Sequence, residues 1–126
     1  MKSFIISAVL AVIVIAGSMF YTYKIDKVSE KMSDINKQII SCLDKKNYEG
    51  ASDKIYELKE FLDEKSTLMA AMGDHEDLDN IETNLSELEK YTEGKNRTDA
   101  LSKCAVLSFL FKHLPESYHL RLENIL

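Results

Sequence analysis

The residues of this chain that could take part in chemistry are histidines and the carboxylates near them. His75 and Asp79 are four positions apart, and His113 and Glu116 are three apart. On a helix, either spacing places both members of a pair on one face. Imidazole and carboxylate groups are common ligands for zinc and similar ions. These four residues are therefore the candidate metal ligands of the chain.

A helical hairpin that turns near residue 95 would bring the two pairs together, because it places residue 77 opposite residue 113. The interpretation we favour for this end is structural. Acidic side chains in the first turn of a helix complement its N-terminus by about 0.3–1 kcal/mol, and the histidines then form hydrogen bonds between helix ends. Metal binding is the alternative, and acid–base catalysis is the third interpretation.

Other motifs that would indicate an enzyme do not occur in the sequence. There is no glycine-rich phosphate loop, nucleophile elbow, paired CxxC or HExxH. Cys42 and Cys104 fall on apolar stripes, where an inert buried thiol is the usual case, although two lone cysteines could also form a disulfide or remain unpaired. We therefore expect no enzymatic activity and no cofactor.

The N-terminal part of the chain, which precedes the candidate residues, is an apolar run. Phe4 to Tyr23 is twenty residues without a charge, which as a helix spans about 30 Å, the thickness of the hydrocarbon core. We expect residues 1–23 to be a transmembrane anchor and residues 24–126 to be a helical domain. A cleaved signal peptide is the alternative, since Lys2 is basic and Ala16 with Ser18 fits a cleavage site.

Two features of the sequence favour opposite sides of the membrane for the domain. Lys24, Lys27 and Lys31 outnumber Lys2, which favours a cytoplasmic domain. A very short basic head before the apolar run instead favours export of the remainder of the chain. We expect the domain on the extracytoplasmic side of the cell membrane.

The spacing of apolar residues after the anchor predicts an all-α fold. The first helix has an apolar residue every three or four positions: Ile25, Val28, Met32, Ile35, Ile39 and Cys42. We expect an N-terminal transmembrane helix followed by a compact antiparallel bundle of two helical hairpins. The segment from Ala100 to Leu114, apolar on nearly every side, should be its buried centre, and Pro115 should start a short last helix.

The predicted turns carry matching capping residues. Asn47 is a suitable N-cap for the second helix, and Asn96 with Asp99 forms a capping-box arrangement for the fourth. Gly73 and Asp74 should separate the second and third helices. A shift of 49 residues also aligns residues around the first turn with residues around the third, which suggests that the two hairpins repeat one pattern.

The distribution of charge limits the partners of the domain. The chain has a net charge of −5, but residues 47–93 alone carry a balance of −10. Phosphate backbones and anionic headgroups repel such a segment, so we expect no nucleic-acid partner. We interpret the acidic faces of the second and third helices as solvated, with binding of a basic partner as the alternative.

Several segments resemble domain-of-unknown-function family 4363. They are residues 75–82 (HEDLDNIE), 85–91, 113–116 (HLPE) and 122–126 (LENIL). The resemblance implies a short bacterial protein with an N-terminal membrane helix and no assigned activity. It also suggests a partner, since such proteins are often encoded near another membrane protein family. This chain departs from the pattern in having Tyr48 and no tryptophan.

These observations lead us to expect a non-enzymatic, membrane-tethered helical module that binds another protein of the same membrane. We expect the contact in the terminal stretch, at Tyr118, Leu120, Arg121 and Leu122. The alternative is a sensor domain that holds a metal or a small ligand at the His75–His113 end.

Overall fold

The chain forms four helices in a computed structural model: α1 (Lys2–Asp44), α2 (Tyr48–Ala71), α3 (His75–Glu93) and α4 (Arg97–Ile125). The structure describes residues 1–71 and 75–125, without the side chains of Thr22 and of residues 117–125. In these ranges the only regular secondary structure is helical, so the all-α prediction is confirmed. The predicted turn at Gly73 and Asp74 lies outside the described residues.

The helices pack as a four-helix bundle in which each contacts its two neighbours. α1 packs against α2 and α4, and α3 packs against the same two helices. Short connections make sequential neighbours antiparallel, as the two predicted hairpins require. The core holds one stripe from each helix: Ile25, Val28, Met32, Ile35, Ile39 and Leu43; Ala51, Ile55, Leu58, Phe61, Leu62 and Met69; Leu78, Ile81, Leu85 and Leu88; Ala100, Cys104, Leu107, Phe111 and Leu114.

α1 serves both the apolar run and the bundle without a break. It has 43 residues, which corresponds to about 64 Å of helix. Its large apolar side chains up to Tyr23 are exposed, whereas Ile25 is completely buried in the core. The N-terminal part is long and apolar enough, by length and composition, to cross a membrane.

The turns after α1 and α3 have the same structure. The N–H of Asn47 donates to the Cys42 carbonyl, and the N–H of Asn96 donates to the Tyr91 carbonyl, each at 2.8 Å. In both turns the preceding lysine has a positive φ, 58° at Lys46 and 56° at Lys95. These are the bonds of a Schellman helix ending. The internal repeat of the sequence therefore corresponds to a repeated turn.

The same two turns confirm the predicted caps. The Asn47 Oδ1 accepts a hydrogen bond from the N–H of Gly50 at 3.0 Å. The Asn96 Oδ1 accepts one from the N–H of Asp99 at 3.2 Å, while its Nδ2 donates to the Asp99 carboxylate at 2.7 Å. Each asparagine thus satisfies an N–H group that has no partner within its helix.

The predicted short last helix is wrong, because α4 continues through Pro115 to Ile125. Proline lacks an N–H, so the carbonyl of Phe111, four residues earlier, loses its donor within the helix. The hydroxyl of Ser29 on α1 donates to that carbonyl instead. A neighbouring helix therefore supplies the missing hydrogen bond, and α4 does not need to end.

The prediction that α4 is the buried centre is also wrong. Val106 is 40% exposed and Phe109 is 61% exposed. A bundle of four helices has no central helix, and each member keeps an outer face. The apolar residues of α4 exceed what one side of such a bundle can cover.

The left-handed backbone conformation of Lys46 and Lys95 predicts where a substitution can stabilise the fold. Outside glycine, this conformation costs roughly 1–2 kcal/mol. Because glycine loses more chain entropy on folding, Lys46→Gly or Lys95→Gly should each stabilise the full chain by a net of about 0.5–1 kcal/mol. Thermal unfolding in detergent, followed by circular dichroism, should show each melting temperature rise by a few degrees. Lys45→Gly, at a φ of −86°, is the control and should give no gain; equal gains at Lys45 would contradict this explanation.

Candidate functional site

The contact between α1 and α4 contains two buried polar side chains. Ser29 is 6% exposed and Asn36 is fully buried, in a face of α1 that is otherwise apolar. The Asn36 Nδ2 donates to the Cys104 carbonyl at 2.9 Å and to the Ser108 Oγ at 2.8 Å. The Ser29 hydroxyl donates to the Phe111 carbonyl. We call Ser29 and Asn36, with the hydrogen bonds that they donate to α4, the polar seam.

The polar seam fixes how far α4 is shifted along α1. Its two donors on α1 are seven residues apart, and the two carbonyls that accept from them on α4 are also seven apart. Apolar side chains tolerate sliding, whereas a hydrogen bond forms only at one shift. The polar seam was not predicted from the sequence. The signal for it was a serine and an asparagine at a heptad spacing beside the apolar stripe of α1.

The candidate metal ligands are only partly brought together. His113 Nδ1 lies 3.0 Å from Glu116 Oε2, and the His113 ring packs on Phe109 with 4.3 Å between ring centroids. His75 and Asp79 are exposed on the first turns of α3. In the described part of the chain, no group of three or more His, Cys, Asp and Glu side chains is placed to hold a metal ion.

The start of α3 and the second half of α4 do meet, as the hairpin geometry predicts. Asp77 and His113 line one small pocket between these helices, together with Ile81, Phe109, Leu110 and Leu114. The wall of this pocket is mostly apolar. It brings one carboxylate and one imidazole to the same place, which is fewer donors than a zinc site requires.

Both cysteines are free thiols, so the disulfide left open by the sequence is not formed. Cys42 is half-buried, whereas Cys104 is fully buried between α1 and α4. Burial, together with the nearby charge of Asp44, raises the pKa of Cys104 to about 12. Because the thiolate is the reactive form, this thiol is inert at neutral pH.

The outer face of α4 carries exposed apolar side chains. Val106 and Phe109 lie on it, while Leu101 and Leu110 of the same helix are partly exposed and pack against the core. From Ala100 to Pro115 this helix carries two lysines and no carboxylate. Exposed apolar side chains in a group are typical of a protein contact surface. The predicted contact residues Tyr118, Leu120, Arg121 and Leu122 come later on the same helix, but their side chains lie outside the described part.

A family model matches most of the chain. The model of the family described as Domain of unknown function (DUF4363) matches residues 19–125. That range includes the last residues of the apolar run and the whole bundle. Neither a curated protein nor a solved structure matches the chain.

The polar seam predicts that Ser29 and Pro115 depend on each other. Ser29→Ala removes the hydroxyl of α1 that donates to the Phe111 carbonyl. This change should lower the free energy of unfolding by about 1–3 kcal/mol. In a Pro115→Ala background, the N–H of residue 115 can reach that carbonyl, so the same change should cost well under 1 kcal/mol. Urea unfolding of the two single variants and the double variant measures this coupling.

Ser33→Ala is the matched control for this cycle. Ser33 lies on the same helix and is half-buried. Removal of the Ser33 hydroxyl should lower the free energy of unfolding by the same small amount with and without Pro115. A cost of Ser29→Ala that does not depend on Pro115 would show that Ser29 does not replace the missing N–H.

Proposed function

This chain belongs to the DUF4363 family, whose description assigns no function, and we propose that it is a non-enzymatic, membrane-tethered helical module that binds another protein of the same membrane. The observation that carries the proposal is the continuity of α1. One helix supplies both the apolar run and a wall of the bundle core. A bundle joined to a membrane in this way is held at a fixed orientation beside its surface.

The side chains at the end of the apolar run support a position at the membrane surface. The Lys24 Nζ lies 4.6 Å from the centroid of the Phe20 ring, and the Lys27 Nζ lies 5.6 Å from that of Tyr23. Aromatic rings are enriched where a transmembrane helix meets the headgroups, and lysines extend from there toward water. Residues 20–27 have this composition.

The shift between α1 and α4 supports a contact near the bilayer. Ser29 lies level with Phe111 and Asn36 lies level with Cys104, in opposite chain directions. Continued by five residues, the same alignment brings Glu116 level with Lys24. The stretch from Tyr118 to Leu122 then comes level with residues 22 to 18, at the end of the apolar run, where a second membrane protein is within reach.

The outer face of α4 supports binding to a protein. It combines the exposed Val106 and Phe109 with an absence of carboxylates from Ala100 to Pro115. Large aromatic side chains buried at the centre of a contact contribute much of its binding energy. Tethering both proteins to one membrane raises their effective concentration, so a small surface is sufficient.

The anchor is tested by charged residues in the apolar run. Wild-type protein should stay in the membrane pellet after carbonate washing. Val12→Lys with Ile13→Lys should release it, because each charge at the centre of a span costs roughly 2.5–3.5 kcal/mol. Ser33→Lys, outside the run, should behave as wild type. A shortened form of the wild-type protein in the medium would instead indicate a cleaved signal peptide.

The contact is tested by photo-crosslinking in native membranes. A photoreactive residue at Phe109 should give one specific adduct with another membrane protein, whereas the same residue at Thr83, exposed on α3, should give none. Deletion of residues 117–126 should weaken or abolish the adduct. If Phe109 gives no adduct and the deletion changes no association, the proposal is wrong.

A further inference from the structure

We propose that a groove between α1 and α2 binds a lysine- and arginine-rich segment next to a transmembrane helix of the partner protein. This inference rests on the proposed function and specifies the chemistry of the partner. The groove has a volume of about 630 Å³. We call it the acidic groove.

The acidic groove has an apolar base and a negative rim. Ile35 of α1 and Phe61 of α2 lie at its base, and both are almost completely buried. Its rim carries four carboxylates of α2 and one lysine of α1: Glu57, Glu60, Asp63, Glu64 and Lys31. An apolar base beside a negatively charged edge fits a helix that has an apolar stripe and cationic side chains on the flank that faces α2.

The ring at the base already accepts cations. The Nζ of Lys31 lies 4.8 Å from the centroid of the Phe61 ring, and the Nζ of Lys65 lies 5.8 Å from it. Such contacts arise because the ring face attracts positive charge. The two lysines come from different helices, so the attraction is a property of the groove.

Negative charge remains after the internal contacts are made. Glu57 is paired with Lys54, with 3.1 Å between the charged atoms. The carboxylates of Asp63 and Glu64 form no ion pair with any described residue. A cationic partner would therefore find carboxylates that are not yet neutralised, and charge complementarity of this kind favours both encounter and register.

An exposed tyrosine lies next to one carboxylate of the acidic groove. Tyr56 is 64% exposed and hydrogen-bonded to Glu60, and that bond together with the charge of Glu60 raises the pKa of Tyr56. Tyrosine rings at protein contacts stack on arginine and cover lysine stems.

The distance of the acidic groove from the end of the apolar run limits which molecules can bind in it. Lys31 is seven residues after Lys24, about 10 Å along the helix from the end of the apolar run. At this height a partner presents the residues that flank its own transmembrane helix. Anionic lipid headgroups are unsuitable occupants, since the segment from residue 47 to residue 93 carries a balance of −10.

A binding experiment tests the groove on the full chain in nanodiscs of zwitterionic phosphatidylcholine. The probe is a fluorescent synthetic helix with leucines on one face and lysines and arginines on the others, followed by anisotropy. Glu60→Lys with Glu64→Lys should weaken binding at least about tenfold. Asp79→Lys with Glu82→Lys makes the same change of net charge on α3 and should change the affinity by less than about threefold. Equal weakening by both variants, or no binding to wild type, would overturn the proposal.

A milder pair of substitutions guards against misfolding of the charge-reversed protein. Glu60→Gln with Glu64→Gln keeps the shape of both side chains and should weaken binding by an intermediate factor. Circular dichroism should show the same helix content in all variants. An unchanged affinity in a correctly folded glutamine variant would also overturn the proposal.

Crosslinking in native membranes separates this inference from the proposed function. A photoreactive residue at Tyr56 should form an adduct within a segment of the partner that is rich in lysine and arginine and lies beside a transmembrane helix. If Phe109 gives an adduct and Tyr56 does not, the module stands and the acidic groove is not its contact. If neither position gives one, both proposals fail. An adduct at Tyr56 with an acidic or neutral segment would contradict the inference.

Discussion

The structure depends on one constraint, which is that a single unbroken helix is both the apolar run and a wall of the core. The side chains of α1 change from exposed to buried at Ile25, within one turn. A continuous helix carries its direction across that boundary, so the rest of the bundle must pack around an axis that is already set. α2 and α4 pack directly against α1, and α3 closes the bundle between them.

Apolar packing stabilises this arrangement, and the polar seam makes it specific. Asn36 donates two hydrogen bonds to α4, yet its Oδ1 is buried without a partner in the described part of the chain. A buried amide satisfied on one side contributes little net stability, but it disfavours every other register. Ser29 has a different role, because it donates to the carbonyl that Pro115 leaves without an N–H. One hydroxyl on α1 thereby keeps α4 helical beyond the proline.

Charge divides the surface of the bundle into two kinds. The hairpin of α2 and α3 is strongly acidic, whereas the outer face of α4 is apolar and has no carboxylate from Ala100 to Pro115. The acidic hairpin can attract a cationic partner from a distance, because electrostatic forces act over about 10 Å. The outer face of α4 can bind a partner only in direct contact, because apolar side chains must be covered by a neighbour. In the proposed function, a partner beside the same membrane would use both surfaces.

The sequence by itself determined the helices, their apolar stripes and the caps at Asn47 and Asn96, since these depend on local spacing and local hydrogen bonds. It also indicated that residues near positions 77 and 113 meet, because short turns make neighbouring helices antiparallel. Only the tertiary structure decided that α4 continues through Pro115 and that Val106 and Phe109 are exposed. A proline ends a helix unless another element supplies the lost hydrogen bond, and an apolar residue is buried only if a neighbour covers it. Both conditions depend on residues far away in the chain.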